Sequence, residues 1–186
     1  LQFNAARYFI FLLFLSIYNF SMVSLFSLTA LMTPTLSIAN LFAGILLLAI
    51  AMYASYVIYL ANMHPWFVWI AYLNPARYAM ETILSNELFN LKLDCKDTIV
   101  PRGETYNNVS FSNKACAWRG ATLGNDYVRG KDYLDQGLEY SYKHTWRNFG
   151  ILIAFLVFFL ACTLFAAQYI KPLYQDGQWK NCLLYT

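Results

Sequence analysis

The sequence predicts an all-α membrane protein with three transmembrane helices, a re-entrant helical hairpin and one large loop. Three observations carry that prediction. Of 186 residues, 59% are hydrophobic and only 12% charged, where a soluble domain runs near 45–50% apolar and about 25% charged. The charges are segregated: 69 residues between Arg7 and Arg77 contain no Asp, Glu, Lys or Arg, and the 23 residues from Asn148 to Ile170 contain none either. Sixteen charged residues crowd between Lys92 and Arg147. This alternation of membrane, polar loop and membrane excludes a soluble single-domain enzyme and intrinsic disorder.

The net charge of +3 is not clustered, so nucleic acid finds no electrostatic footprint. The chain opens at Leu1, and its first apolar run is too long for a signal-peptide core and ends in no small-residue cleavage site. It is therefore expected to be an internal stretch of a longer protein or a gene product lacking its front. No period of 20–50 residues repeats.

The first silent stretch is long enough for two spans of about 20 residues with a remainder. Tyr8 to Met32 is the first expected span. Thr33-Pro34-Thr35 breaks it, because Pro cannot continue a helix and restrains the residue before it. Leu36 to Leu60 is the second, antiparallel to the first. Trp66, Trp69, Tyr72 and Tyr78 then cluster like an interfacial aromatic belt. Asn74 followed by Pro75 is an N-cap with Pro at the first helical position. A short helix from Pro65 to Leu73, a kink, and a helix from Pro75 to about Phe89 are expected. The second piece carries Arg77, Glu81 and Glu87, which keeps it out of hydrocarbon, and Arg77 and Glu81 stand four apart, where they can pair. A re-entrant or interface-lying hairpin fits better than a further span. Leu91 to Thr145 reads as a polar loop of irregular structure and short helix, and Asn148 to Ile170, bracketed by Arg147 and Lys171, as the last span. The expected organisation is 1–90 for two spans and hairpin, 91–147 for the loop, 148–171 for the last helix and 172–186 for a polar tail.

Cys95 and Cys116 lie in the loop, as does the glycosylation sequon Asn108-Val109-Ser110. Both suit an oxidising, extracytoplasmic face. A Cys95–Cys116 bridge would contribute about 3 kcal/mol by loop entropy; two free thiols and a chance sequon are the alternative. With the loop outside, Arg7 is outside, and the turn at Thr33–Thr35 and the tail are cytoplasmic. Cys162 and Cys182 have no obvious partner.

Catalytic chemistry is hard to place. Gly124 to Asp132 has the look of a phosphate loop but fails it: five residues separate the glycines, and Asp132 stands where Ser or Thr would hold magnesium. His64 and His144 have no metal-ligand spacing around them, so no metal is expected. The spans lack any intramembrane carboxylate for a proton relay. They do carry mild polarity: Ser16, Asn19, Ser21, Ser24 and Ser27 in the first, Asn40 in the second. Helix packing explains these residues; so does a cavity lining. The second span offers Asn40, Leu47, Ala51, Met52, Tyr53 and Tyr56, an apolar, aromatic and Met surface with one or two polar groups, which is how a promiscuous hydrophobic cavity is built.

Trp66-x-x-Trp69-x-x-Tyr72-x-Asn74-Pro75-x-x-Tyr78 resembles the segment after the fifth transmembrane helix of pleiotropic drug resistance transporters, the full-length fungal G-subfamily of ATP-binding cassette exporters. Asn86-Glu87 fits their Asn-Glu-Phe motif, with Leu88 for Phe. Val100-Pro101-x-Gly103-x-x-Tyr106-x-Asn108-Val109-Ser110, Cys116, Gly124-Asn125-Asp126-Tyr127-Val128 and Gly130-x-Asp132-Tyr133-Leu134 resemble their large extracellular loop. His144-x-Trp146-Arg147-Asn148-Phe149-Gly150 resembles the start of their sixth helix. Val68 departs, standing where the family often has a basic residue. The resemblance implies an ABC-2 type fold, with the spans as helices four, five and six of the first transmembrane domain in a multi-pass plasma-membrane protein. It implies ATP-driven export of hydrophobic compounds, with the fifth helix lining the cavity. Partners would be the bilayer, hydrophobic small molecules and the remainder of the transporter; the chain itself would hold no cofactor, and ATP and magnesium would belong to the nucleotide-binding domains. The rival reading is an accessory or structural membrane protein with a disulfide-tied binding loop.

Overall fold

The computed structural model describes the backbone of residues 4–95, 98–101, 103–106 and 108–183, with side chains through Tyr169 except at 61, 104 and 111. Helix α1 spans Ala5–Met32, capped at Asn4, whose side chain accepts from the Ala6 N–H. Thr33 and Pro34 end it, and Thr35 caps α2, Leu36–Met52, by accepting from the Ile38 N–H. The two helices are therefore separated by a three-residue turn, as the Pro34 break requires.

Helix α2 is shorter than the span expected from the sequence. It stops at Met52 after 17 residues, a rise of about 25 Å, at the lower limit for crossing a bilayer. Residues 53–59 instead form an irregular turn in which Ser55 takes a left-handed φ of +62°. The run is rich in Tyr, Val and Ile, modest helix formers, and the Ala54 carbonyl leaves the helical ladder to accept from the Tyr140 hydroxyl at 3.1 Å. Among the described residues two helices, Ala5–Met32 and Tyr142–Tyr169 (the latter including a leading 3₁₀ turn), are long and apolar enough to span.

A 3₁₀ turn at Pro65–Phe67 leads into α3, Val68–Tyr72. Helix α4, Pro75–Leu88, begins at the expected cap: Asn74 Oδ1 accepts from the Ala76 N–H at 3.0 Å. Helix α4 runs back along α1 in the opposite direction. Ala76 packs in the cluster of Met22, Ala79 in that of Phe14, and Asn86 donates to the Arg7 carbonyl at 3.0 Å.

The loop is not purely irregular and helical, so the all-α expectation fails there. Strand β1, Lys92–Asp94, pairs antiparallel with β4, Tyr127–Arg129; β2, Ile99–Val100, pairs with β3, Ala115–Cys116. These ribbons are short and stapled, which explains why alternation over two or three residues left no readable pattern. Helix α5, Gly130–Tyr133, continues as a π-turn over Leu134–Leu138. Helix α6 spans Thr145–Leu183. It extends well past Ile170, through Pro172 and Gly177 of the segment assigned from sequence to a tail; helix propensity does not explain this stretch. Helix α6 lies parallel to α1: Leu152 packs with Phe14, and Thr163 donates to the Ser24 carbonyl at 3.0 Å.

Candidate functional site

Helices α1, α2 and α4 and the 53–59 turn border a half-open cavity of about 370 Å³. Leu15 and Tyr18 come from α1, Leu47 and Ala51 from α2, Ala54, Tyr56 and Val57 from the turn, and Met80 and Ile83 from α4. Its lining is apolar and aromatic with no charged side chain. Ala76 and Ala79 face it because small side chains on α4 leave the space. Of the six residues singled out on the second span, Leu47, Ala51 and Tyr56 line this cavity. Asn40, Met52 and Tyr53 do not: Asn40 is exposed three turns of α2 before Ala51, Met52 is exposed, and the Tyr53 ring tilts against Phe67 with centroids 6.3 Å apart. The α1 serines do not line it. Ser16, Ser21 and Ser24 each donate to the carbonyl four residues back, a bond that uses the one O–H each has to give.

The aromatic motif divides into an exposed and a buried half. Trp66 and Trp69 are 78% and 60% exposed, and Tyr72 is half exposed. Asn74 and Pro75 are buried, and the Tyr78 hydroxyl donates to the Tyr72 carbonyl at 2.8 Å. Asn74 Nδ2 donates to the Ile50 carbonyl at 2.7 Å, tying the start of α4 to the end of α2. Trp69, Leu73, Asn74 and Pro75 join Leu46 and Phe159 around a second apolar crevice of about 330 Å³.

Sequence reasoning missed the polar hub beside the cavity. Glu81 is 3% exposed. Its Oε1 accepts from the Ser141 N–H at 3.3 Å and lies 2.8 Å from His144 Nδ1; its Oε2 accepts from Asn148 Nδ2 at 2.9 Å, with Arg147 at 3.9 Å. A buried carboxylate is tolerable only when its lone pairs are met in this way, and the N-terminus of α6 adds a favourable dipole. The expected Arg77–Glu81 pair does not form, because Glu81 is engaged by residues 141–148 and Arg77 stacks over the Tyr72 ring at 4.4 Å. The one advance signal was a carboxylate on a helix with apolar neighbours; its partners lie 60–67 residues away. Next to the hub, burial pushes the Tyr140 phenol far above the usual tyrosine range, with the nearby Arg77 opposing it.

In the loop, Cys95 and Cys116 are joined as a disulfide with Cα atoms 5.6 Å apart, closing the end of the β2–β3 ribbon. Trp118 Nε1 donates to Thr98 Oγ1 at 2.9 Å, and the Arg119 guanidinium lies 4.2 Å from the Tyr59 ring centre, docking the loop on the 53–62 segment. Asn108 is exposed. Gly124 to Asp132 forms no phosphate cradle: Tyr127–Arg129 is paired with β1, and a Cβ on Gly130 would collide with the Leu88 carbonyl. Among the described residues no group of three or more His, Cys, Asp or Glu is placed to hold a metal.

Residues 1–88 match the family model of the ABC-2 type transporter, and residues 100–182 match that of the CDR ABC transporter. The ATP-dependent permease AUS1 of Saccharomyces cerevisiae is 80% identical over 96% of the chain, and the ATP-dependent permease PDR11 of the same organism 73% identical over 98%. The chain belongs to the pleiotropic drug resistance family of ABC transporters. It spans about 13% of the length of those two relatives. A third relative, the pleiotropic ABC efflux transporter of multiple drugs PDH1 of Candida glabrata, is 37% identical over 94% of the chain and 11% of its own length. In this family of multi-pass membrane proteins the described helices are transporter membrane domain, and the cavity, the hub and the docked loop are features of that domain.

Proposed function

We propose that the chain forms part of the membrane pathway of an ATP-driven transporter of hydrophobic compounds, with export as its direction. The observation that carries this is the charge-free cavity of about 370 Å³ beside α2, in a chain of a family whose members include an efflux transporter of multiple drugs. Leu47, Ala51 and Tyr56 contact the compound. The two relatives above 70% identity are named permeases without a direction, so export rests on the multidrug relative. ATP and magnesium act at nucleotide-binding domains outside the described residues.

In this reading the protein sits in the plasma membrane with the 91–147 loop outside. The disulfide and the exposed sequon asparagine support that side. Helices α3 and α4 form a re-entrant hairpin. Its support is the course of α4, which starts level with Met22 and climbs to the Arg7 carbonyl, about 22 Å along α1, with its carboxylate turned to α6 rather than lipid.

The test is transport by the intact protein in sealed vesicles of known orientation, with a fluorescent hydrophobic probe and MgATP. ATP-dependent movement of probe toward the loop side is the expected result. Movement toward the opposite side would reverse the direction, and a distribution indifferent to ATP would overturn the proposal.

A further inference from the structure

The segment Leu138–Asn148, which returns from the loop into α6, grips both walls of the cavity. On one wall, the buried Tyr140 hydroxyl donates to the Ala54 carbonyl at 3.1 Å. Ala54 is itself a lining residue, in the turn that also presents Tyr56 and Val57. On the other wall, the Ser141 N–H, His144 Nδ1 and Asn148 Nδ2 converge on Glu81 of α4. Glu81 lies between the lining residues Met80 and Ile83. The Tyr142 ring stacks on Phe89 just past the end of α4, centroids 5.0 Å apart. The turn wall has no helical ladder of its own, since it is irregular and contains a left-handed Ser55. The far end of the same pair of walls is pinned separately, by Asn74 to the Ile50 carbonyl.

We infer that Leu138–Asn148 is a strap that sets the spacing of the cavity walls at the loop side, with Tyr140 and Glu81 as positioning residues that determine the size of compound admitted. Neither residue lines the cavity; each acts through the wall it holds. The strap follows from the contacts alone, whereas its effect on compound size rests on the proposed role of the cavity.

The experiment separates the two. In the intact transporter, with free cysteines replaced by Ser, Val57→Cys and Ile83→Cys place one thiol on each wall. Bifunctional thiol reagents of graded length then report wall spacing without any transport assay. Tyr140→Phe removes a single hydroxyl and should shift the ratio of long to short cross-link about fivefold. Glu81→Gln should shift it in the same sense, because the amide has one acceptor oxygen where the carboxylate has two, so either the Ser141 N–H or Asn148 Nδ2 faces an N–H. Adding Asn148→Asp to Glu81→Gln supplies an acceptor for that amide and should restore the short cross-link. An unchanged cross-link profile in both single variants would overturn the strap. Transport of a size-graded series of hydrophobic probes is measured on the same variants and should shift toward larger compounds. Widened walls with an unaltered size profile would keep the strap and remove the cavity from the pathway.

Discussion

Asn74 uses both ends of its amide: Oδ1 caps α4 by accepting from Ala76, while Nδ2 donates 2.7 Å to the carbonyl of Ile50, 24 residues earlier. One buried side chain thus starts a helix and fixes it to the end of the preceding one. Asn74→Asp keeps the cap and loses the donor, leaving a carboxylate facing a carbonyl; Asn74→Ala loses both. Alanine should cost about 1 kcal/mol for the cap plus about 1–3 kcal/mol for the stranded Ile50 carbonyl. Thermal denaturation of detergent-solubilised protein checks this, with both variants melting below wild type.

The loop offers a cleaner local test. Cys95→Ser opens the bridge to Cys116, removing about 3 kcal/mol of loop restraint. The expected outcome is protease sensitivity confined to 91–140 and a lower level of mature protein. Limited proteolysis followed by peptide mapping, with and without reductant on wild type, reads it. Wild-type fragments that part without reductant would deny the bridge.

Gly130 is fixed by space. Its α-carbon lies against the Leu88 carbonyl, its N–H donates to the Leu91 carbonyl at 2.8 Å, and any Cβ there would collide. Gly130→Ala must push α5 away from the end of α4. The destabilisation should be about 1–3 kcal/mol, the usual range for overpacking, seen as a lower melting temperature. Gly150, whose Cβ would meet nothing within 4 Å, serves as the control and should tolerate Ala.

Orientation has its own check. Asn108 is exposed in the loop. With the loop outside, wild type should shift on glycosidase treatment and Asn108→Gln should not. A membrane-impermeant amine-reactive label that reaches Lys114 only after permeabilisation would place the loop on the cytoplasmic side.

What the sequence revealed and what it hid divide by range. The Pro34 break, the Asn74-Pro75 helix start and the spans of α1 and α6 are local patterns, decided within a few residues. The end of α2 was hidden because Tyr53 to Tyr59 holds no Gly, Pro or charged residue to mark it; its departure from the helix goes with the Ala54 carbonyl bonding a hydroxyl 86 positions later. The same reason hid the Glu81 hub. Arg77 stands at the right spacing to pair with Glu81, but donors from 141–148 hold the carboxylate and Tyr72 takes the guanidinium. Leu47 and Ala51 reach the cavity and Asn40 does not, since a chemical class on a helix says nothing of which residues an adjoining turn will cover.

Hydrophobic compounds are proposed to pass the cavity beside α2. The measurement that tests it is ATP-dependent probe transport by the intact protein carrying Ala51→Trp, which fills the cavity, beside Leu41→Trp on the exposed part of the same helix. Ala51→Trp should lower kcat/KM for bulky probes at least tenfold more than for small ones, with surface level unchanged and Leu41→Trp near wild type. Equal transport of every probe by all three proteins would contradict it.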